Sequence, residues 1–246
     1  MPRYFIEVAY KGTAYAGFQV QQNANTIQSE LEKALGIFFR MEFQLTGSSR
    51  TDAGVHARQN FFHFDNDIPG DAASLNRAVY HINAILPADI VVNRLYQVAP
   101  EAHCRFDAVS RSYAYTIYTS KDPFLEDRAF YYPYDVALDK LKAAAAMIIG
   151  THDFESFAKR NSQVHTFNCT ILACDWNMEH DLLVFTITGN RFLRGMVRGL
   201  VGTMLKVGRG KATLNQFHDI LLAKNATLAD FSTPAHGLSL MAVSFP

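Results

Sequence analysis

Cysteine is scarce in this chain, which holds only Cys104, Cys169 and Cys174 among its 246 residues. Three cysteines cannot all pair and none stands in a CxxC spacing, so the sequence predicts neither a disulfide framework nor a cysteine-based zinc site. The nine histidines show no HExxH or comparable spacing, and we therefore expect no metal ion.

Long apolar runs are also missing, and none approaches the roughly 20 residues of a membrane-spanning helix. We expect no membrane partner. The opening residues "MPRYFIEVAY" show no basic stretch followed by an apolar one, so no signal peptide is predicted. Without an export signal, the expected compartment is the cytoplasm.

Neither sign of charge is in excess, since 23 Lys and Arg balance 23 Asp and Glu. This balance argues against a generally basic nucleic-acid binder. Residues 191–218 depart from this balance, because they contain no acidic residue. Their basic residues are Arg191, Arg194, Arg198, Lys206, Arg209 and Lys211. A neutral protein whose charges are sorted in this way can still present a strongly positive surface.

The first hundred residues alternate between strand-like and helix-like stretches. Residues 3–10 are rich in aromatic and β-branched side chains, as strands are. In "NTIQSELEKALGIFF" apolar residues recur at helical spacing behind Asn25 or Thr26, either of which suits the N-cap. The other predicted elements are the strands "MEFQLTG" and "QNFFHFD", the helix "DAASLNRAVYHINAIL" and the strand "DIVVNRLYQVA".

The second half repeats this style. "SRSYAYTIYTS" predicts a strand, and "TILACDWNMEHDLLVFTITGN" predicts a strand pair that turns near 179–181. Helices are predicted at about 135–149, with Gly150 as the C-cap, and at about 191–207 and 214–223, before a terminal strand.

The helix predicted at 191–207 carries two notable sets of residues. Three glycines fall on one face, which indicates close approach of another backbone; they are Gly195, Gly199 and Gly202. Three arginines cluster on a second face, either as an ordinary solvated surface or as an RNA contact; they are Arg191, Arg194 and Arg198.

Together these patterns predict an α+β fold with a largely antiparallel sheet, because several neighbouring strands are linked as hairpins. A similar element order in the two halves indicates a pseudo-duplicated architecture that divides near 100–108. We assign residues 1–104 to an N-terminal half and residues 105–246 to a C-terminal half.

The stretch "SSRTDAGVHA" (48–57) allows two interpretations of Asp52. An Asp before Ala-Gly is typical of a turn, in which Gly54 supplies a positive φ. Alternatively, Arg50 lies on the same side of an extended chain, and a nearby cation keeps a carboxylate ionised for nucleophilic or base chemistry. The chain has no GxSxG, P-loop or GxGxxG motif, so Asp52 is the candidate catalytic residue of a cofactor-free enzyme.

Tyr113 also has two interpretations. Arg105 and Arg111 precede it, and aromatic residues among arginines suit unstacked bases and phosphates. The alternative is a tyrosine-rich strand packed on the core.

Six segments in order resemble those of the A class of tRNA pseudouridine synthases, the TruA family. The signature is "RTDAGVHA" (50–57), and the other segments are "YKGTAYAGFQVQ", "CRFDAVSRSYAYTIY", "GTHDFESF" (150–157), "FLRGMVRGLVGTML" (192–205) and "PAHGLSL" (234–240). The resemblance implies a pseudouridine synthase fold of two ferredoxin- or RRM-like halves that share the sheet, with helices outside.

The resemblance also implies isomerisation of uridine to pseudouridine at positions 38, 39 and 40 of the tRNA anticodon stem-loop, by a homodimer without a cofactor. Asp52 would be the catalytic aspartate, Arg50 would help to expel the target base, Tyr113 would stack on it, and Arg198 would pair with Asp52. Arg105 is a further candidate RNA contact.

Two positions depart from the family's pattern. Ser49 stands where relatives commonly have Gly, and Arg191 stands where many have a small residue and could add a phosphate contact.

Two other functions stay open on the sequence alone. The first is a catalytically silent RNA-binding or RNA-folding protein of the same fold. The second is an enzyme that cleaves the glycosidic bond without rejoining it, which would need a water-activating base that no motif supplies. Whether Asp52 attacks C1′ or the uracil ring, and which group removes the C5 proton, also stay open.

Overall fold

The computed structural model describes residues 1–159 and 164–246. The chain forms two compact units: Met1–Val109 together with Leu240–Pro246, and Ser110–Ser239. They differ from the predicted halves at residues 105–109 and 240–246. The predicted halves are also assigned different functional residues, and this functional division of the chain stays a proposal.

The first unit combines antiparallel strands with two helices. Strand β1 lies between β4 and β3, and the short β2 pairs with the other edge of β3. The elements are β1 (Arg3–Tyr10), α1 (Ile27–Phe39), β2 (Thr46–Gly47), β3 (His56–Asp65), α2 (Ala72–Ile85) and β4 (Ile90–Val98). Strand β10 (Leu238–Ser244) is the last element, and its residues from Leu240 onward belong to this unit.

Helix α1 begins where the sequence predicts. The hydroxyl of Thr26 accepts the N–H of Ser29, and the Ser29 hydroxyl accepts the N–H of Thr26, which forms a capping box. One face of the helix is buried, as the apolar spacing requires.

The second unit has the strand order β5-β9-β8-β7, with antiparallel pairing throughout, and the short β6 runs parallel to β5. The elements are β5 (Ser110–Tyr118), β6 (Phe130–Tyr131), α3 (Leu138–Ala146), β7 (Gly150–Asp153), β8 (Asn168–Glu179), β9 (Leu182–Gly189), α4 (Met196–Gly208) and α5 (Leu214–Leu222). The predicted α+β class with largely antiparallel strands is confirmed.

Helix α4 begins at Met196, five residues later than predicted. Gly195 takes a left-handed conformation (φ 75°) at the N-cap, which ends the preceding segment. Arg191 and Arg194 therefore precede the helix, and the predicted arginine face is wrong because only Arg198 of the three lies in α4.

The glycine prediction holds for the two glycines inside α4. A Cβ on Gly199 would lie 2.7 Å from the ring of Phe231, and a Cβ on Gly202 would lie 2.3 Å from the carbonyl oxygen of Asp230. The segment before residue 234 therefore packs directly against the helix backbone.

Two other predicted boundaries are wrong. Of "MEFQLTG" only Thr46–Gly47 is a strand, because the N–H and C=O of Leu45 bond instead to the side chains of Glu32 and Gln28 on α1. Gly150 begins β7 with a φ of 101° instead of capping α3, whose C-cap is Met147.

Among the described residues, every helix is either too short or too polar to cross a bilayer.

Candidate active site

Asp52 lies in the loop that connects β2 to β3. The N–H of Val55 donates to the carbonyl of Asp52 (3.1 Å), and Gly54 has a φ of 79°, which is a turn geometry that favours glycine. Asp52 is half-buried and Arg50 is exposed. The turn interpretation is therefore correct for the backbone, and it leaves the Asp52 carboxylate on a fixed loop.

The segment that follows β1 supports this loop from one side. The N–H of Phe18 donates to the carbonyl of Thr51 (3.1 Å), and the N–H of Gly12 donates to Nδ1 of His56 (3.0 Å). A Cβ on Gly12 would lie 2.0 Å from the carbonyl oxygen of Val55. Only glycine permits this approach, and His56 has a structural role here.

A buried network of polar side chains also holds the loop of Asp52 in place. The hydroxyls of Tyr10 and Thr51 are hydrogen-bonded at 2.8 Å, and Nδ2 of Asn60 donates to the Tyr10 hydroxyl (3.1 Å) and to the carbonyl of Ser49 (2.9 Å). Burial raises the pKa of Tyr10 to about 12, so its hydroxyl stays protonated. These bonds fix the residues on both sides of Arg50.

Sequence reasoning missed this network. The available signal was Asn60, a polar residue at the start of the apolar run "NFFHF". A fully buried Asn needs hydrogen-bond partners, and here they are the Tyr10 hydroxyl on β1 and the Ser49 carbonyl in the loop that holds Asp52.

Ser49, the first departure from the family's pattern, lies against the same network. The side-chain oxygens of Ser48 and Ser49 are buried, and across residues 1–159 and 164–246 they have no hydrogen-bond partner. Leaving a buried hydroxyl unsatisfied costs free energy, so Ser49 does not stabilise the loop through its hydroxyl.

In the second unit, Tyr113 lies on β5 opposite Ile187 of β9 and is half-buried. Its ring meets the ring of Phe192 edge-on, with centroids 5.1 Å apart. Nη1 of Arg111 donates to the carbonyl of Asn190 (3.0 Å). The strand thus places Tyr113 beside the segment that contains Arg191, itself half-buried.

Arg198 lies in the first turns of α4, where the 233–237 segment fixes it. Its Nε and Nη2 atoms donate to the carbonyl of Thr233 at 2.8 and 2.6 Å, and the Thr233 hydroxyl donates to the Arg198 carbonyl (2.9 Å). The hydroxyl of Tyr115 donates to the next carbonyl, that of Pro234 (2.8 Å). The guanidinium therefore has a set orientation.

Arg105 lies in an exposed turn of the first unit. Its guanidinium carbon is 5.6 Å from the centre of the Phe106 ring, a side chain that is 74% exposed. The N–H of Arg105 donates to Nδ1 of His103 (3.1 Å). The turn holds a cation and an aromatic ring in solvent, which suits an RNA contact.

The basic segment at 191–218 is less positive than its sequence indicates. Lys206 forms an ion pair with Asp230 (3.2 Å), and the guanidinium carbon of Arg209 lies 3.8 Å from the centre of the Tyr134 ring. Lys211 is exposed. Lys206 therefore contributes less to the positive surface than Arg209 or Lys211.

The six candidate residues are thus divided between the two units. Arg50, Asp52 and Arg105 belong to the first unit, and the other three, Tyr113, Arg191 and Arg198, belong to the second. Arg50 and Asp52 share one loop, and the ring of Tyr113 contacts Phe192, the residue after Arg191. Their functional roles stay proposals.

Comparison with known proteins matches residues 144–246 to a family described as "tRNA pseudouridine synthase". A protein named tRNA pseudouridine synthase A from Parabacteroides distasonis is 42% identical over all of this chain and 97% of its own length. One of the same name from Porphyromonas gingivalis is 40% identical over all of this chain and 98% of its own length.

A solved structure, titled "Crystal Structure of a Cbf5-Nop10-Gar1 Complex", matches 82% of this chain and 54% of its own at 10% identity, with a TM-score of 0.35. A likeness this weak adds no argument. The two relatives match this chain over its full length, and they show that it belongs to the tRNA pseudouridine synthase A family.

Proposed function

We propose that this protein is an isomerase that converts uridine to pseudouridine at positions 38, 39 and 40 of the tRNA anticodon stem-loop. The observation that carries the proposal is the loop of Asp52. Hydrogen bonds from Phe18 and Asn60 hold its backbone, while its carboxylate-bearing residue stays half-exposed. Full-length identity of 42% to a named tRNA pseudouridine synthase A supports the reaction class.

The reaction needs one carboxylate, and it needs neither a redox cofactor nor an activated water. The bond from N1 of uracil to C1′ breaks, the base rotates, and C5 bonds to C1′; C5 loses its proton and N1 gains one, so the product is an isomer of uridine. Asp52 acts as the nucleophile, at C1′ or at the uracil ring. A covalent intermediate divides one difficult step into two easier ones.

The other assigned residues bind the extruded nucleotide. Taking a base out of its stack costs a few kcal/mol, which stacking on Tyr113 and insertion of Arg50 offset. Tyr113 is half-buried, so part of its side chain is open to solvent, and its ring lies nearly perpendicular to that of Phe192. Arg105 and Arg191 contact the RNA backbone.

Arg198 is the counter-ion of Asp52, as the family resemblance implies. A charge in a partly dehydrated site needs a fixed opposite charge. The two hydrogen bonds to the Thr233 carbonyl supply the rigidity that this role requires.

Two features of the proposal have different grounds. The family resemblance alone implies a homodimer, with one tRNA lying across both subunits. The cytoplasm is the compartment that the sequence analysis predicts. Light scattering of the purified chain tests the dimer: a monomer at the concentrations used for the assay contradicts it.

The experiment is to map pseudouridine in unmodified tRNA after incubation with the protein. Substrates in which uridine at position 38, 39 or 40 is replaced by cytidine serve as matched controls. We expect product at each of the three positions that carries uridine. Product elsewhere contradicts the assigned position, and bound tRNA without product favours a catalytically silent RNA-binding protein.

A further inference from the structure

A cluster of two histidines and one cysteine lies in the first unit, away from the loop of Asp52 in sequence. His63 is on β3, and His103 and Cys104 follow β4. One possible ligand atom from each of these three residues lies within 4.8 Å of the other two. Nδ1 of His63 is 3.1 Å from Sγ of Cys104, and the rings of His63 and His103 have centroids 4.5 Å apart.

We propose that His63, His103 and Cys104 bind one Zn²⁺ ion. A thiolate with two imidazoles is a donor set that zinc prefers over magnesium or calcium, with ligand bonds of roughly 2.0–2.3 Å. Such bonds hold donor atoms between about 3 and 4 Å apart, so the cluster is close to the required size. The fourth position is open to water.

The protons balance if one is released. The Cys104 thiol donates to the carbonyl of Thr46 (3.2 Å), and this thiol must lose its proton to become the ligand. Binding therefore releases one proton from Cys104, and affinity falls as the pH is lowered.

His103 must give up two hydrogen bonds to bind through Nδ1. That atom accepts the N–H groups of Arg105 (3.1 Å) and Phe106 (3.3 Å). Both donors belong to exposed residues, so water replaces the lost acceptor. His103 is only half-buried, so the ion can reach the cluster from solvent past His103.

The charges around the cluster do not oppose a cation. Two arginines lie nearby: Nε and Nη2 of Arg3 donate to the carboxylate of Asp65 at 2.7 Å, and Arg105 follows Cys104 in an exposed turn. Asp107 accepts the N–H of His103 (2.7 Å) and adds a negative charge. Asp65 and Asp107 balance Arg3 and Arg105, so the Cys104 thiolate leaves the surroundings of the ion with a net negative charge.

The ion would join β3 to the 103–104 segment, beside β2. Since Thr46 of β2 lies next to Cys104, the site braces the strand that leads into the loop of Asp52. This is a structural role that does not depend on the proposed function. The sequence predicts no metal ion, because residue 63 and the pair 103–104 are far apart in the chain.

The test uses the full-length chain, reduced and freed of metal, titrated with Co²⁺ as a spectroscopic probe and then with Zn²⁺. We expect one equivalent of Co²⁺, with thiolate-to-cobalt charge-transfer absorption and the visible bands of a four-coordinate ion. One equivalent of Zn²⁺ should remove these bands and raise the melting temperature.

The variants Cys104→Ser and His103→Asn should each weaken binding at least tenfold. Cys169→Ser, a buried cysteine of the other unit, should bind as the wild type does, and so should Asp52→Asn. Wild-type protein without stoichiometric binding overturns the proposal, as does unchanged binding in His103→Asn. His103 is half-buried, so its variant keeps the test valid if Cys104→Ser does not fold.

Discussion

The Nε and Nη2 atoms of Arg198 donate to one carbonyl oxygen, that of Thr233, at 2.8 and 2.6 Å. A lysine ammonium cannot reproduce this planar, two-point contact. We predict that Arg198→Lys lowers the rate of pseudouridine formation on bound tRNA by ten- to a hundredfold, because the charge remains but its position is no longer fixed.

Single-turnover rates and tRNA dissociation constants separate the two effects. We expect the dissociation constant of Arg198→Lys to change less than threefold. Arg77→Ala, on an exposed position of α2, is the control and should change neither quantity. A loss confined to tRNA affinity, with an unchanged rate on bound tRNA, contradicts the counter-ion role.

Gly12 permits the contact that supports the loop of Asp52, since its absent Cβ would meet the Val55 carbonyl at 2.0 Å. We predict that Gly12→Ala lowers the free energy of unfolding by about 1–3 kcal/mol through overpacking and also slows turnover. Urea unfolding measures the first effect.

Gly36→Ala is the matched control for that variant. Gly36 lies inside α1, where a Cβ makes only ordinary contact at 3.4 Å. Alanine is the better helix former by roughly 1 kcal/mol, so this variant should be more stable than the wild type. Equal stability of Gly12→Ala and the wild type would show that the close approach does not constrain the loop.

Acid should weaken the packing against α4 through Asp230. Burial alone would raise the pKa of Asp230, but hydrogen bonds from Ser232 and the ammonium of Lys206 outweigh it and hold the pKa below its usual value. A carboxyl whose pKa is lowered on folding stabilises the protein above its unfolded pKa of about 3.8, and this contribution is lost as the pH falls through the folded pKa.

We therefore predict that Asp230→Asn is less stable than the wild type at pH 7 and that the difference shrinks below pH 4. Melting temperatures between pH 3 and 7 measure it. A difference that stays constant across this range would mean that the ionised carboxylate contributes nothing.

Lys211 and Lys206 should respond differently to neutralisation. Lys211 is exposed, whereas Lys206 is paired with Asp230. We predict that Lys211→Gln weakens tRNA binding and makes it less dependent on salt, reducing the magnitude of the slope of log affinity against log salt by about 1. Lys206→Gln should reduce that magnitude less. Equal slopes for the wild type and Lys211→Gln would remove Lys211 from the RNA-binding surface.

The elements that the sequence predicts best are those with a strong apolar period or a clear cap. Strand β1 has the predicted bounds, and α1 begins behind Thr26. Helix α2 covers the predicted stretch except for its first and last residues, Asp71 and Leu86, which are its N-cap and C-cap. The hairpin of β8 and β9 turns at His180 and Asp181, both with positive φ, where the sequence predicts a turn.

The misplaced boundaries depend on contacts that no local pattern records. Gly195 ends a segment whose spacing alone continues the helix toward residue 191, and Leu45 bonds to side chains on α1 instead of a strand. At the site, sequence identifies Asp52 and Arg50 but misses Tyr10 and Asn60, whose role depends on the three-dimensional pairing of β1 with β3.

The most direct measurement is the single-turnover rate of pseudouridine formation at position 39 of unmodified tRNA, for the wild type and for Asp52→Asn. Asp67→Asn, an exposed aspartate of the same unit, is the control. We predict product with the wild type and Asp67→Asn, and none with Asp52→Asn despite a similar dissociation constant for tRNA. Product from Asp52→Asn at the wild-type rate would contradict the assignment of Asp52 as the nucleophile.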